Sequence, residues 1–229
     1  RYYLIFILKE MNKMKKCLVI LAKTPFLSDV KTRLSSKIGI KNTHIFYEMC
    51  KNCLEDLTSK LDYDIKIATA EKEGVSNDYW KEFNTFFAEG KNIAEKQNFI
   101  FQELLQIYES VILIGIDIPQ LSKKFINNAF TFLEKNNQII GPSTDGGFYL
   151  IGSKSNIKKE VWENTEWSCA KTLQTFVRSF KPKPYKLKIF TDVDEFQDLS
   201  EMIKEMPSIT SKRQVKLIKW VNSIEELIK

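Results

Sequence analysis

One stretch, Val111-Ile112-Leu113-Ile114-Gly115-Ile116-Asp117-Ile118-Pro119, constrains the fold more than any other part of the chain. Four consecutive apolar residues, three of them β-branched, form the pattern of a strand buried on both faces, as in the middle of a parallel sheet. Pro119 disfavours helix at Ile118, so the chain stays extended past Asp117. A carboxylate is thereby set just beyond the carboxyl end of a central strand, where open α/β sheets bind ligands. A hard cation carrying a diphosphate uses one or two carboxylates at such a place. An Asp also caps helices. The stretch alone leaves both roles open.

The surrounding pattern supplies the rest of the sheet. Residues 17 to 22 (CLVILA) read as a buried strand, followed by a loop over 23 to 29 and a helix opening near Val30. Residues 42 to 60 carry a second amphipathic helix, and 64 to 69 (DIKIAT) alternate as a strand. The pattern predicts a short helix near 76 to 87, a helix over 93 to 108 leading into the Val111 strand, and a helix to Lys135 capped by Ser122. Short strands follow at 138 to 141 and 148 to 151, then a helix over 168 to 180, a strand over 186 to 190 and a helix over 194 to 206. Strands alternating with helices predict an α/β fold in one domain, with a mostly parallel central sheet flanked by helices. Residues 1 to 14 read as an N-terminal extension or mis-assigned start, 15 to 206 as the domain, and 207 to 229 as a C-terminal amphipathic helix packed on it.

Composition excludes several classes. The net charge of +6 is spread through the sequence rather than gathered in blocks, so no nucleic-acid stripe stands out. The apolar start RYYLIFIL is too short to span a bilayer. Cys50 and Cys53 form a C-x-x-C, but they share a helical face with Phe46, Met49 and Leu57, which predicts buried core thiols rather than a zinc or redox pair. A reducing, cytoplasmic setting is expected. Oligomeric state is left open.

The chemistry-bearing residues sit in loops that follow strands. Lys23, Lys31 and Arg33 place three cations where a strand feeds a helix, a position suited to phosphate. The same residues would serve as a solvated basic face. This loop is neither a Walker loop nor a dinucleotide fingerprint. Asp145-Gly146-Gly147 forms either a plain hairpin turn or a turn that lets a ligand approach the backbone. Asp194 is a helix cap or a second metal ligand, and Trp167 is a stacking wall or a core residue.

Five segments occur in one order: LAKTPFLSDVKTRL, LIGIDIPQL, GPSTDGGFYLIG, EWS and TDVDEFQDL. Together, over about residues 15 to 200, they resemble a glycosyltransferase-A-like family linked to arsenosugar biosynthesis and related to the 2-phospho-lactate guanylyltransferases. The resemblance implies a nucleotide-diphospho-sugar transferase fold. It implies that Lys23, Lys31 and Arg33 meet the nucleotide phosphates, that Asp117 holds a metal with help from Asp194, and that Asp145, Gly146 and Gly147 line the acceptor side. Lys96, Tyr149 and Trp167 join the expected nucleotide and substrate contacts. Ser28 stands where the family has glycine, Asp29 where a basic residue is common, Ala94 for glycine and Lys96 for arginine. These changes stiffen the loops and weaken forked phosphate recognition.

The expected activity is glycosyl transfer from a nucleotide-diphospho-sugar donor to a small-molecule acceptor, with Mg²⁺ or Mn²⁺ on Asp117 and Asp145 as the acceptor base. The alternatives are a nucleotidyltransferase that releases pyrophosphate and a non-catalytic nucleotide-binding protein on the same fold. The DGGFYLIG segment stands where guanylyltransferases carry a different, alanine-containing stretch, which favours the first reading.

Overall fold

A computed structural model describes residues 14–59 and 61–228; the apolar start over residues 1–13 lies outside them. Seven strands form one sheet in the order β3-β2-β1-β4-β6-β5-β7: β1 Met14–Ala22, β2 Asp64–Thr69, β3 Asn84–Phe87, β4 Tyr108–Gly115, β5 Gln138–Pro142, β6 Phe148–Ser153 and β7 Tyr185–Lys186. Only β6 runs against its neighbours, β4 and β5. The α-helices are α1 Thr32–Thr58, α2 Ile93–Leu104, α3 Lys123–Lys135, α4 Lys159–Glu163, α5 Thr172–Arg178, α6 Phe196–Lys204 and α7 Lys212–Ile228.

The central strands are covered on both faces, as their unbroken apolar runs require. Leu18, Ile20, Ile112 and Ile114 face one core layer with Phe46, Phe130 and Val221, residues of α1, α3 and α7. Cys17, Val19, Val111 and Leu113 face the other, with Phe101 of α2, Trp162 of α4 and Phe176 of α5. β1 is followed by β2 on one side and paired with β4 on the other, so the direction of winding reverses between β1 and β4. The loops leaving their carboxyl ends therefore diverge and open a crevice there.

Three expectations are corrected. The 76–87 segment holds a single 3₁₀ turn, Asp78–Trp80, capped by Asn77, and then β3. Its Thr85, Phe86 and Phe87 gain more from parallel pairing with β2 than from a helix interrupted after one turn. The helix expected from Ser168 begins at Thr172, because Ser168 adopts φ 58 and cannot serve as N-cap. The strand expected over 186–190 is the two-residue β7 plus an isolated bridge from Phe190 to Ser143. The last sheet-covering helix is capped by Glu195, reciprocated by Asp198, which releases Asp194 from capping. Near its start, α1 is broken at Gly39, whose φ of 81 separates the two helical stretches that the pattern distinguishes.

Among the described residues no helix is long and apolar enough to cross a membrane. Cys17, Cys50 and Cys53 are buried, and Cys169 is exposed. Burial pushes the Cys17 and Cys53 thiols up to about 12. It drives Cys50 upward too, with Cys53 adding to the effect. The native protein is therefore expected to expose one fast-reacting thiol to a disulfide reagent and four after denaturation. Counting released thiolate with and without denaturant checks this, and three fast thiols in the native state would contradict the packing of α1.

Candidate active site at the carboxyl ends of β1 and β4

A cleft of about 590 Å³ lies over the carboxyl ends of β1 and β4. Its first wall is the loop after β1, which is held from several directions. The Thr24 amide donates to Glu71 Oε2 at 2.9 Å, and Trp80 Nε1 donates to Thr24 Oγ1 at 3.0 Å. The Leu27 and Ser28 amides both donate to the Thr24 carbonyl at 3.1 Å. Tyr47 on α1 donates its hydroxyl to the Lys23 carbonyl at 2.7 Å. Lys23 turns its ammonium onto the Asp29 carbonyl at 2.9 Å.

The loop ends at Lys31, which precedes α1 in a left-handed conformation, φ 47 and ψ 53. A non-glycine residue costs about 1–2 kcal/mol there. The conformation sends the lysine stem inward, and its ammonium pairs with Asp117 Oδ2 and lies 3.7 Å from Asp194 Oδ1. Burial pulls the Lys31 pKa down, but Asp117 outweighs it with help from Asp194 and Asp192, so the net shift is upward and the charge is retained. Phe26, Lys31 and Ser168 are the left-handed non-glycine residues of the described chain. Lys31 and Ser168 line the cleft, and Phe26 belongs to the same loop as Lys31. Strain gathered in this way marks functional loops.

The opposite wall is acidic. Asp117 lies two residues past β4, and a Cβ on Gly115 would meet its Oδ1 at 2.5 Å, so a side chain there would displace the carboxylate. The Val193 amide donates to the Asp117 carbonyl at 3.1 Å and holds the 191–194 loop beside it. Asp192 in that loop has a buried Oδ1 with no hydrogen-bond partner. Burial, then the charges of Asp117 and Asp145, raise its carboxyl to about 7 against the pull of Lys31. Asp145 receives the Ser143 hydroxyl at 2.5 Å and the Gly147 amide at 2.7 Å, both on Oδ1.

Nine of the expected site residues line this cleft: Lys23, Lys31, Lys96, Asp117, Asp145, Gly147, Tyr149, Trp167 and Asp194. Two others lie outside the lining. Arg33 is largely exposed and donates to Asp194 Oδ2 at 2.8 Å, so it reaches the site only through that carboxylate. Gly146 sits beneath the next loop with φ 89, where a Cβ would meet the Ala170 carbonyl oxygen at 2.2 Å, and it accepts the Leu173 amide. Its glycine serves packing. Lys96 donates to the Ala70 and Ala88 carbonyls at 2.8 and 2.9 Å, and burial lowers its pKa. The Tyr149 ring is a core element, with its hydroxyl on the Lys188 carbonyl at 2.8 Å. Trp167 stacks on Trp162 with planes 10° apart and donates Nε1 to the Trp162 carbonyl, which fixes the ring at the cleft edge.

Sequence reasoning passed over two residues. Asp192 was hidden by its neighbour Asp194, since either could face inward from an irregular loop. Glu205, at the end of α6, accepts the Thr191 amide and hydroxyl at 2.8 and 3.0 Å and the Gln120 side chain at 3.0 Å. It sets the height of the 191–194 loop, and nothing local in the sequence signals that.

The family model described as "Uncharacterized protein conserved in bacteria (DUF2064)" matches residues 54–169, which include β4, Asp117 and Asp145. The chain belongs to that family. No curated protein matches it. The fold of this family member is shared by a Desulfovibrio desulfuricans G20 protein provisionally named a nucleotide-diphospho-sugar transferase, 23% identical over 94% of this chain and 97% of that one, with a TM-score of 0.82. It is also shared, more distantly, by the 4-diphosphocytidyl-2C-methyl-D-erythritol synthase of Anaerococcus prevotii DSM 20548, at 13% identity, 93% and 99% coverage and a TM-score of 0.51. A cytidylyltransferase from Leptospira borgpetersenii serovar Hardjo-bovis stands at 14% identity, 94% and 97% coverage and a TM-score of 0.51. At these identities the likeness is one of fold.

The raised Asp192 carboxyl has a consequence for stability. Its folded value of about 7 lies above the ordinary aspartate value near 3.9, so between them the folded chain holds a proton that the unfolded chain has lost. That contribution is complete below the ordinary value and vanishes as pH rises through about 7. In chelator-treated buffer, Tm is expected to fall across this range, and Asp192→Asn to flatten the fall and melt a few degrees higher on the alkaline side. About 1 kcal/mol corresponds to about 2–4 °C in a domain of this size. Calorimetry on both proteins across pH checks this, and parallel curves would show that Asp192 is ordinarily ionised.

Proposed function

We propose that this protein is a transferase that moves a sugar from a nucleotide-diphospho-sugar to a small-molecule acceptor. The observation that carries the reading is the division of one cleft into a lysine-bearing wall, with Lys23, Lys31 and Lys96, and a carboxylate wall with Asp117, Asp145 and Asp192. Its volume of about 590 Å³ falls within the range of small-molecule sites, about 300–1,000 Å³. The lysines supply point charge to a diphosphate. Trp167 offers a flat apolar wall for a base or a sugar face. The resemblance in motif order and the fold shared with the Desulfovibrio protein support the same reading.

A divalent ion, Mg²⁺ or Mn²⁺, fits the residues present. The unpartnered, buried Asp192 Oδ1 is a hard oxygen without a proton donor, and Asp117 lies across from it at the strand end. Among the described residues no group of three or more protein ligands gathers. This suits an ion held by one or two carboxylates and completed by substrate phosphate and water. Asp117 and Asp192 would hold it, with Asp194 behind them on Arg33. The ion would supply Lewis-acid neutralisation of the departing diphosphate. Lys31 shares the Asp117 carboxylate and is the side chain that turns toward phosphate when the donor enters. Asp145 presents Oδ2 with no partner among the described residues, and this is the atom assigned to take the acceptor hydroxyl proton.

A second reading, nucleotidyl transfer with pyrophosphate release, is favoured by the fold shared with the cytidylyltransferase and the erythritol synthase. One feature of the loop after β1 weighs against it. Cradling a triphosphate calls for free backbone amides, yet Thr24, Leu27 and Ser28 have theirs engaged and Pro25 has none.

Thermal shift with a panel of nucleotide-sugars, with and without Mn²⁺, tests the proposal. A matching donor at 100 times its Kd stabilises by about 2.7 kcal/mol, and Asp117→Asn is expected to remove the Mn²⁺-dependent part. Stabilisation by no nucleotide or nucleotide-sugar would reject both readings. Robust pyrophosphate release from an NTP and a phosphorylated acceptor would transfer the assignment to nucleotidyl transfer.

A further inference from the structure

A second cavity, of about 720 Å³, is formed where the loop after β1 meets the middle of α1, the 78–80 turn and the start of α7. The loop walls both spaces: Lys23 and Asp29 face the cleft, whereas Pro25 and Phe26 face the second cavity. Lys41, His44, Arg213 and Lys216 also line it, with one carboxylate, Glu48, which lies 3.8 Å from Lys51.

Two features of this cavity are unfavourable in the free protein. Phe26 is held at φ 70 with its side chain 87% exposed, its ring meeting only the edge of His44 at a centroid distance of 4.7 Å. A large apolar ring at a strained backbone loses both conformational energy and the benefit of burial. The cations beside it are also unevenly satisfied. Arg213 is bonded to Glu55 and lies 3.4 Å from Asp56, and Lys51 is shared between Glu48 and Glu55. Lys41 and Lys216 have no ion-pair partner among the described residues. A molecule with a flat ring and an anionic group would cover the first and neutralise the second.

The geometry points to a second ligand site here, distinct from the cleft, for a small planar molecule bearing a phosphate or carboxylate. Its ring packs against Phe26 and His44, and its anion lies between Lys41 and Lys216.

His44 is the only histidine of the chain, so its Cε1–H gives one unambiguous imidazole resonance reporting on this wall. At fixed pH, titration with phenyl phosphate is expected to shift that resonance saturably, and inorganic phosphate to act at least tenfold more weakly. Benzoate in place of phenyl phosphate distinguishes the anion: the tighter of the two names it. The Lys41→Gln/Lys216→Gln double variant, altered only at exposed side chains, is expected to weaken binding at least tenfold. Asp117→Asn, which alters the cleft, is expected to leave the titration unchanged. No shift with either probe, an undiminished shift in the double variant, or loss of the shift in Asp117→Asn would overturn the proposal. None of these results depends on whether the cleft transfers a sugar or a nucleotide.

Discussion

A single buried ammonium ties together three segments far apart in the chain. Lys31 leaves the loop after β1, pairs with Asp117 beyond β4, 86 residues away, and stands within 3.7 Å of Asp194 in the loop before α6. Without that cation, Asp117 and Asp192 would face each other across a crevice with little solvent to screen them. Burial first, then the charges of Asp117 and Asp145, raise the Asp192 carboxyl even with Lys31 pulling it down. The left-handed turn at Lys31 follows from this requirement. Arg33, two residues later and inside α1, stays largely exposed and reaches only Asp194.

The acidic wall is held by a second tier of contacts that carry no charge into the cleft. Glu205 grips Thr191, Gln120 bridges Thr191 and Glu205, and Gln214 of α7 donates to the Pro119 carbonyl at 2.9 Å. The loops bearing Asp117 and Asp192 are thus bound both to each other, through Val193, and to the helices beneath. Each of these contacts joins residues distant in sequence. The site is accordingly a property of the packed helices α6 and α7 as much as of the strands, and loosening α7 would move Asp117 through Pro119.

The strand carrying Asp117, the loop lysines and the Asp145 turn could be read from local pattern, because each depends on a run of neighbours: an apolar stretch, a proline, a pair of glycines. What escaped that reading depends on partners elsewhere. β3 is a strand because β2 lies beside it to pair with Thr85, Phe86 and Phe87. Ser168 fails as a cap because the loop beneath it must clear Gly146 and Ala170. Asp192, beside the expected Asp194, escaped it as well. Both flank Val193, and only the Val193–Asp117 hydrogen bond and the reach of Arg33 decide which carboxylate is drawn outward.

The loop after β1 departs from a phosphate-binding cradle in a consistent direction. Its amides fold back onto Thr24, its glycine position is Ser28, and its strain is carried by Phe26 and Lys31 rather than by glycine. A cradle of amides offers several weak, directional contacts and tolerates no displacement of the backbone. Two lysines offer strong charge on long, adjustable stems. The loop thus brings charge to the cleft on the side chains of Lys23 and Lys31 while its backbone stays fixed. The stiffness has a further consequence. Because Thr24 is held by Glu71 and Trp80, one loop presents Lys23 and Asp29 to the cleft and Pro25 and Phe26 to the outer cavity from fixed positions.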